Sequence, residues 1–251
     1  MMKQDRISVL ISQMTLEEKA ALCSGKNWWN TQDIKRLGIR SVMVSDATHG
    51  LRKQDEGMDT EHIGQSVQAI CFPASCALAA SFDRSLLQSL GETIGDECQA
   101  ENIGVILGPA VNIKRSPLCG RNFEYLSEDP YAAGELAAAY IRGVQSRGVG
   151  TSVKHFYANN QENRRHSSSS EVDERTLREI YLPAFDRAVQ EQPWTVMASY
   201  NRINGVHGAQ NKWGITQVLR GQWGFDGTVI SDWGAVTDLS LIHISEPTRR
   251  S

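Results

Sequence analysis

Several short apolar runs in this 251-residue sequence end in side chains that could perform acid-base or nucleophilic chemistry. The polar ends are Asp46, the adjacent pair Lys154 and His155, Tyr200 and Asp232. A carboxylate can act as a nucleophile or a general acid, and Lys and His donate hydrogen bonds to oxygen acceptors. This set of residue types suits a ligand rich in hydroxyl groups.

Asp232 is the strongest single candidate, because it ends the run 227–232 and is followed directly by Trp233. In a sugar site the indole would stack against the sugar face while the carboxylate attacks the anomeric carbon. Spacing alone leaves a purely structural aspartate as an equal alternative.

Three other segments carry candidate binding residues. Asp46 and Arg52 could grip adjacent sugar hydroxyls, although taken alone they fit a loop salt bridge better. Arg121 and Glu124 lie in the dense polar loop 117–130, which suggests the wall of a site. Lys154 and His155 are costly to bury together unless a ligand or a side chain supplies acceptors.

The elements that position these residues alternate between short apolar runs and longer helical stretches. Such alternation predicts an α/β fold with parallel strands. Polar residues end several of the runs and no Gly-rich phosphate turn follows the first, so we favour a (β/α)8 TIM-barrel-like domain over a doubly wound sheet. The six strand-like runs are 41–46, 74–81, 104–109, 151–155, 195–200 and 228–232.

Helices are predicted at 14–23, 84–102, 130–143 and 174–190. The first of these has Thr15 as N-cap with Glu18 three residues on, as in a capping box. The serine-rich patch 167–170 is expected to be a loop.

Composition narrows the class of protein. The chain is 40% hydrophobic and 22% charged with a net charge of −3, so it can build a sizeable core and shows no basic stripe for nucleic acid. Its start is amphipathic rather than apolar, and no run approaches the roughly 20 residues of a membrane span, so we expect a cytoplasmic protein without a membrane partner. The five cysteines are odd in number and form no CxxC pair, so we expect reduced, buried thiols and no metal site.

Taken together, the motifs resemble glycoside hydrolase family 3, and its β-glucosidase branch in particular. The resemblance runs from about residue 15 to residue 238 and is carried, in family order and spacing, by segments 119–124, 154–156, 159–162, 173–179 and 231–234. It implies a retaining, exo-acting β-glucosidase that forms a covalent glycosyl intermediate on Asp232. The substrate would be a β-glucoside or a short β-linked oligosaccharide, and neither a metal nor an organic cofactor would be needed.

The resemblance also implies roles for the remaining residues. Tyr200 would lie beside the nucleophile, Trp233 would stack on the sugar and Arg52 would support Asp46. The residues expected to bind hydroxyls in the −1 subsite are Asp46, Arg121, Lys154, His155 and Arg165.

Two departures from the family pattern bear on these roles. Ala47-Thr48 stands where the family usually has Gly-Pro, which puts the loop that holds Asp46 in doubt. The N-acetylglucosaminidase branch carries a His-containing acid/base loop near the Lys-His motif. This chain has Asn159-Asn160-Gln161-Glu162 there, which argues against that branch.

The resemblance implies a partial domain. In β-glucosidases of this family the acid/base glutamate comes from a second domain, and a closed barrel has eight strands against the six candidates here. We therefore expect residues 1–238 to be part of the N-terminal barrel domain, incomplete at the C-terminus, and the fragment to be inactive. Residues 239–251 resemble the translation of a sequencing-library adapter, and we expect them to be non-native.

Three other functions compete. The first is a β-xylosidase or another exo-glycosidase of the same family, because pocket walls decide the substrate. The second is a non-catalytic sugar-binding fragment. The third is a Schiff-base lyase built on Lys154, which would leave Asp232 and Trp233 unexplained.

Overall fold

A curved parallel β-sheet with helices packed on its outside forms the centre of the chain. The computed structural model describes residues 3–46, 48–54 and 66–236. The predicted boundary at residue 238 and the tail after it lie outside the described residues, as does Ala47, so those points stay predictions.

The sheet contains the strand ends singled out in the sequence. Within the described part of the chain the strands are β1 (Val44–Asp46), β2 (Val105–Leu107), β3 (Gly150–Phe156), β4 (Ser169–Ser170), β5 (Thr195–Ala198), β6 (Arg202–Ile203), β7 (Val206–His207) and β8 (Thr228–Ser231). Five of them form one parallel sheet in the order β1-β2-β3-β5-β8. This order follows the chain without reversal, so it has no switch point of the doubly wound kind and confirms the barrel-like prediction.

The helices of the described residues are α1 (Lys3–Gln13), α2 (Leu16–Leu22), α3 (Ser75–Ala79), α4 (Arg84–Ala100), α5 (Pro130–Ser146), α6 (Glu174–Thr176) and α7 (Pro183–Val189). Two segments are π-helical, Leu177–Tyr181 and Trp213–Gln222, and Lys35–Leu37 and Gly208–Gln210 are single 3₁₀ turns. All four predicted helices are confirmed, the last as α6, a π turn and α7 in succession. No helix in these ranges is long and apolar enough to cross a bilayer.

The predicted capping box at the start of α2 is present. The Thr15 hydroxyl accepts a hydrogen bond from the Glu18 backbone N–H at 3.2 Å, and the Thr15 N–H donates to the Glu18 carboxylate at 2.9 Å. Each group satisfies a donor that the first helical turn would leave free, which explains why the helix begins here.

Residues 74–81 were expected to be a strand, and this prediction is wrong. Ser75–Ala79 forms α3, with the Leu78 N–H donating to the Ala74 carbonyl at 3.0 Å. Alanine is the strongest helix former and is depleted in strands. The helix propensity of the alanines in this run therefore overrides the strand that its apolar pattern predicts. The serine-rich patch 167–170, which was expected to be a loop, is a strand in part. Ser169–Ser170 forms β4, which pairs with β6.

None of the five cysteines forms a disulfide bond, but the expectation that they are buried holds only in part. Cys98 and Cys119 are buried and Cys76 is half-buried, whereas Cys23 and Cys71 are exposed. Burial raises the pKa of the Cys98 thiol to about 12, so this group is uncharged at neutral pH.

The sheet is strongly curled, because residues tied to its two edge strands meet. The Trp29 carbonyl accepts a hydrogen bond from the Val44 N–H of β1 at 2.7 Å, while its ring lies 5.1 Å from the ring of Trp233, just after β8. In a flat sheet these edges would be roughly 19 Å apart, four strand spacings of about 4.8 Å. The curl therefore brings the carboxyl ends of the strands around one opening.

Helices α4 and α5 pack against each other at backbone distance over two glycines. A Cβ atom added at Gly91 would lie 2.4 Å from the Tyr140 carbonyl oxygen, and one at Gly143 would lie 2.1 Å from the Gln88 carbonyl oxygen. Fully buried side chains such as Leu87 and Ile94 fill the interface beside this contact. The glycines are needed for this close approach.

Gly91→Ala should therefore destabilise the protein, by about 1–3 kcal/mol as for an overpacked core, although alanine is the better helix former. Chemical denaturation measures the change. Ser89→Ala, on the exposed face of the same helix, is the control and should change the free energy of unfolding by less than about 0.5 kcal/mol. A Gly91→Ala variant as stable as the parent would show that the helices are not in backbone contact.

Candidate active site

One cavity of about 720 Å³ opens at the carboxyl ends of the parallel strands. It has the size of a small-molecule site. All nine candidate residues line it: Asp46, Arg52, Arg121, Lys154, His155, Arg165, Tyr200, Asp232 and Trp233. The structure thus gathers side chains that lie up to 187 positions apart in the sequence.

Asp232 is almost completely buried, with 3% of its surface exposed, and its two carboxylate oxygens differ. Oδ1 accepts a hydrogen bond from the Trp233 N–H at 2.9 Å. Oδ2 is buried and accepts no hydrogen bond from the described residues, and His155 Nε2 lies 3.6 Å away. A buried acceptor of this kind is free to meet a ligand atom.

Competing effects set the charge of Asp232. Burial raises the pKa of its carboxyl group, while the nearby Tyr200 hydroxyl and the cations of Arg121 and Lys154 work in the opposite direction. Desolvation is the largest of these effects, and the two cations supply the attraction that an ionised carboxylate needs at this depth.

His155 is a neutral imidazole in this environment. Burial, followed by the positive charges of Arg121, Lys154 and Arg165, holds the pKa of His155 well below its usual 6.5. Its ring Nε2 faces Nη1 of Arg121, which carries only donors, so the ring accepts there. The backbone of His155 is fixed by the buried Asn112 amide, which accepts from its N–H at 2.9 Å and donates to its carbonyl at 3.1 Å.

Lys154 lies between two carboxylates. Its Nζ is 3.6 Å from Oδ1 of Asp46 and 3.6 Å from Oε2 of Glu124. Lys154 and Glu124 are both buried, so each needs the other to offset the loss of hydration.

The ion pairs continue from Glu124 to the two arginines of the cavity. Arg121 Nη1 is 3.2 Å from Glu124, and Arg121 Nε is 3.3 Å from Oε2 of Glu162. The same Glu162 oxygen accepts a hydrogen bond from Arg165 Nη1 at 2.9 Å. We call the six residues Asp46, Lys154, Glu124, Arg121, Glu162 and Arg165 the charge chain, since negative and positive groups alternate along it.

The charge chain meets the nucleophile candidate through Tyr200. The Arg165 guanidinium lies over the Tyr200 ring, 4.6 Å from its centroid. Burial, and then the negative charge of Asp232, raise the pKa of Tyr200, so its hydroxyl stays protonated. Tyr200 is therefore a permanent donor beside the carboxylate.

The contact expected between Arg52 and Asp46 exists through the backbone. The Arg52 N–H donates to the Asp46 carbonyl at 3.0 Å, while the Asp46 side chain is directed to Lys154. The loop after Asp46 also involves Thr48, whose carbonyl accepts from the Ser75 hydroxyl at 3.4 Å. Asp46 thus lines the cavity despite the departure of this loop from the family sequence.

Three residues with clear structural roles at the site were missed in the sequence. Asn112 holds His155, Glu162 joins two arginines, and Trp29 contacts Trp233. Glu162 lies in segment 159–162, one of the motifs that carry the family resemblance. An acidic residue so close to arginines in the sequence indicates an ion pair. Asn112 and Trp29 lie far along the chain from their partners and carry no local signal. In the described ranges, no group of three or more His, Cys, Asp or Glu residues is arranged to hold a metal ion.

A family model decides the relationship of the chain to known proteins. The model for the glycosyl hydrolase family 3 N-terminal domain matches residues 1–250. The chain belongs to glycoside hydrolase family 3.

Curated relatives agree with this family. The chain is 56% identical over 233 residues to thermostable β-glucosidase B of Acetivibrio thermocellus, and the alignment covers 92% of this chain and 31% of the relative. It is 54% identical to an exo-α-(1→6)-L-arabinopyranosidase of Bifidobacterium longum, over 91% of this chain and 30% of that protein.

Solved structures of the family share the fold. A family 3 β-glucosidase from Bifidobacterium adolescentis superposes with a TM-score of 0.85 at 51% identity, over 92% of this chain and 33% of the other. β-Glucosidase 3B of Thermotoga neapolitana, solved with glucose, gives a TM-score of 0.87 at 40% identity, over 94% and 35% of the two chains. The chain thus spans about a third of the length of the relatives it matches.

Asp232→Asn should stabilise the protein at neutral pH. The pKa of Asp232 is raised above its ordinary 3.8 in the folded state, so ionisation of this carboxyl destabilises the fold above that pKa. Asparagine cannot ionise, and its Oδ1 can still accept from Trp233. Thermal unfolding should show a gain in Tm at pH 7 that shrinks as the pH falls towards 4.

Asp226→Asn, at an exposed aspartate just before β8, is the matched control and should show no such gain. A loss of stability in Asp232→Asn at pH 7, or a gain that does not depend on pH, would contradict the assigned cause.

Proposed function

We propose that this chain forms the part of a retaining, exo-acting β-glucosidase that binds the terminal sugar and supplies the nucleophile, Asp232. The observation that carries the proposal is the buried Oδ2 of Asp232, which accepts no hydrogen bond from the described residues and lies in a cavity lined by hydrogen-bond donors. Membership of glycoside hydrolase family 3 and the β-glucosidases among its relatives support the same activity.

The proposed reaction has two displacements. Oδ2 of Asp232 attacks the anomeric carbon, the bond to the leaving-group oxygen breaks, and a glycosyl ester of Asp232 forms. An acid protonates the leaving oxygen, and water then cleaves the ester to release the sugar and regenerate the carboxylate. Attack needs the ionised carboxylate, which Arg121 and Lys154 favour.

The charge chain would bind the sugar. Lys154, Arg121 and Arg165 offer donors, the neutral His155 ring offers a donor or an acceptor, and Asp46 accepts hydrogen bonds from hydroxyls. Their mutual ion pairs hold these groups in place before a ligand arrives, so little ordering entropy is lost on binding. Trp233 would supply the apolar face for stacking.

A second carboxyl group is needed as the acid, at roughly 5 to 5.5 Å from the nucleophile. Asp46 and Glu124 line the cavity, but each already forms an ion pair with Lys154, so neither carboxyl group is free to meet a leaving group. We therefore propose that the acid lies outside the described residues. The 251-residue chain would turn over little or no substrate whose leaving group requires protonation.

An activated substrate separates the nucleophile from the acid. A 2,4-dinitrophenyl 2-deoxy-2-fluoro-β-D-glucoside carries a leaving group that departs without protonation, so the 251-residue chain should be labelled once per molecule. Peptide mass spectrometry should place the label on Asp232. Asp232→Asn should lower the labelling rate by at least about 10⁴-fold, as for loss of a nucleophile, and the Asp226→Asn control should leave it unchanged.

Labelling of another residue, or undiminished labelling of Asp232→Asn, would refute Asp232 as nucleophile. A folded chain that binds glucose in calorimetry but takes no label would instead be a non-catalytic sugar-binding fragment.

A second candidate activity is favoured by one finding. Relatives at 54% and 53% identity, from Bifidobacterium longum and Bifidobacterium breve, are exo-α-(1→6)-L-arabinopyranosidases. An α-L-arabinopyranoside and a β-D-xyloside both lack the hydroxymethyl group of glucose, so they test whether the cavity uses that group.

Release of dinitrophenolate from the dinitrophenyl β-D-glucoside, β-D-xyloside and α-L-arabinopyranoside measures this preference on the 251-residue chain. We expect the glucoside to react at least about tenfold faster, because one additional contact in a shaped pocket is worth roughly 1–3 kcal/mol. Fastest release from the arabinopyranoside or the xyloside would reassign the substrate within the family.

A further inference from the structure

Two consecutive tryptophans near the N-terminus contact the tryptophan that follows the nucleophile candidate. The Trp233 indole N–H donates to the Trp28 carbonyl at 3.3 Å, and the rings of Trp29 and Trp233 meet edge to face at 5.1 Å and 66°. We call Trp28 and Trp29 the tryptophan brace. One member therefore fixes the polar end of the Trp233 indole and the other fixes its ring.

The brace is itself held from two sides. The Trp29 carbonyl accepts from the Val44 N–H of β1 at 2.7 Å, and the Trp29 indole N–H donates to Oε1 of Gln54 at 3.1 Å. Gln54 is buried, so this bond sets the tilt of the Trp29 ring. The ring of Trp29 is thus oriented before it touches Trp233.

Trp233 has few other anchors in the described part of the chain. It follows β8 in a turn, with its N–H bound to the Asp232 side chain and Gly234 at φ 73° just after it. Trp233 lines the cavity, whereas neither Trp28 nor Trp29 does. An indole on such a turn can rotate away from a sugar unless its ring is held.

We propose that Trp29 is a positioning residue that holds the Trp233 indole in the orientation that receives the sugar. This inference rests on the proposed function, since it assigns Trp233 to the sugar site. Trp29 acts across the opening of the curled sheet, from the edge at β1 to the end of β8. The segment that carries Trp28 and Trp29 contributes neither of these side chains to the cavity lining. It nevertheless sets the geometry of the cavity wall that Trp233 forms.

Fluorine NMR of the 251-residue chain made with 5-fluorotryptophan tests the orientation directly. The chain has six tryptophans, so the Trp233 resonance is identified by its loss in Trp233→Phe. Trp29→Leu should shift or broaden the Trp233 resonance. It should also weaken glucose binding in calorimetry by about fivefold, the size of one edge-to-face aromatic contact.

Two variants control for a merely structural effect. Trp29→Phe keeps a ring edge against Trp233 and should restore glucose affinity to within about twofold of the parent. Trp194→Leu removes another half-exposed tryptophan, which lies just before β5 at the opposite end of the sheet and packs on Gly150. It should lower Tm without changing either the Trp233 resonance or the glucose affinity.

Each outcome decides a different point. An unchanged Trp233 resonance and unchanged glucose affinity in Trp29→Leu would overturn the brace and leave the proposed function intact. A parent chain that neither binds glucose nor takes the fluoroglucoside label would overturn the proposed function. The brace then stands if the Trp233 resonance moves in Trp29→Leu and not in Trp194→Leu, and falls if it does not move.

Discussion

The ion pairs of the charge chain are the constraint on which the site depends. Lys154 is buried and Arg121 is largely so, and burying either cation would cost much hydration energy without a carboxylate in contact. Glu124 and Glu162 each touch two cations and thereby fix the distances between them. The positive groups in turn make an ionised Asp232 tolerable at 3% exposure. The ion pairs that fix the geometry of the cavity wall thus also stabilise the negative charge of Asp232.

The curl of the sheet converts this local network into a cavity. Asp46 ends β1, the Lys154–His155 pair lies in β3, and Asp232 follows β8, so a flat sheet would hold these groups in a row. The observed curvature sets Asp46 against Lys154, and His155 against Asp232, within 3.6 Å in both cases. Contacts between helices on the outside, such as that over Gly91 and Gly143, stabilise the curved form.

Much of the fold could be read from the sequence, because its signals are local. Helical spacing, the Thr15 cap and polar residues at strand ends each act within a few positions, and the structure contains the elements they predict. The strand prediction for residues 74–81 is wrong because a short apolar run fits a strand and an alanine-rich turn of helix equally well. The cavity-lining residues came from motifs, but Asn112 and Trp29 act on partners 43 and about 200 positions away. Only folded geometry places such pairs together.

The double pairing of Glu124 and Glu162 also constrains how this site can change over evolutionary time. Replacing Glu124 would leave Lys154 with Asp46 alone and Arg121 with Glu162 alone, and replacing Glu162 would remove the carboxylate that pairs with Arg165. A substitution at either end of the chain of six removes one ion pair, and a substitution at any of the four inner positions removes two. The four inner positions are therefore expected to change less readily than the cavity walls around Thr48 and Ile70, which take no part in these ion pairs and are free to vary and to adapt the cavity to new ligands.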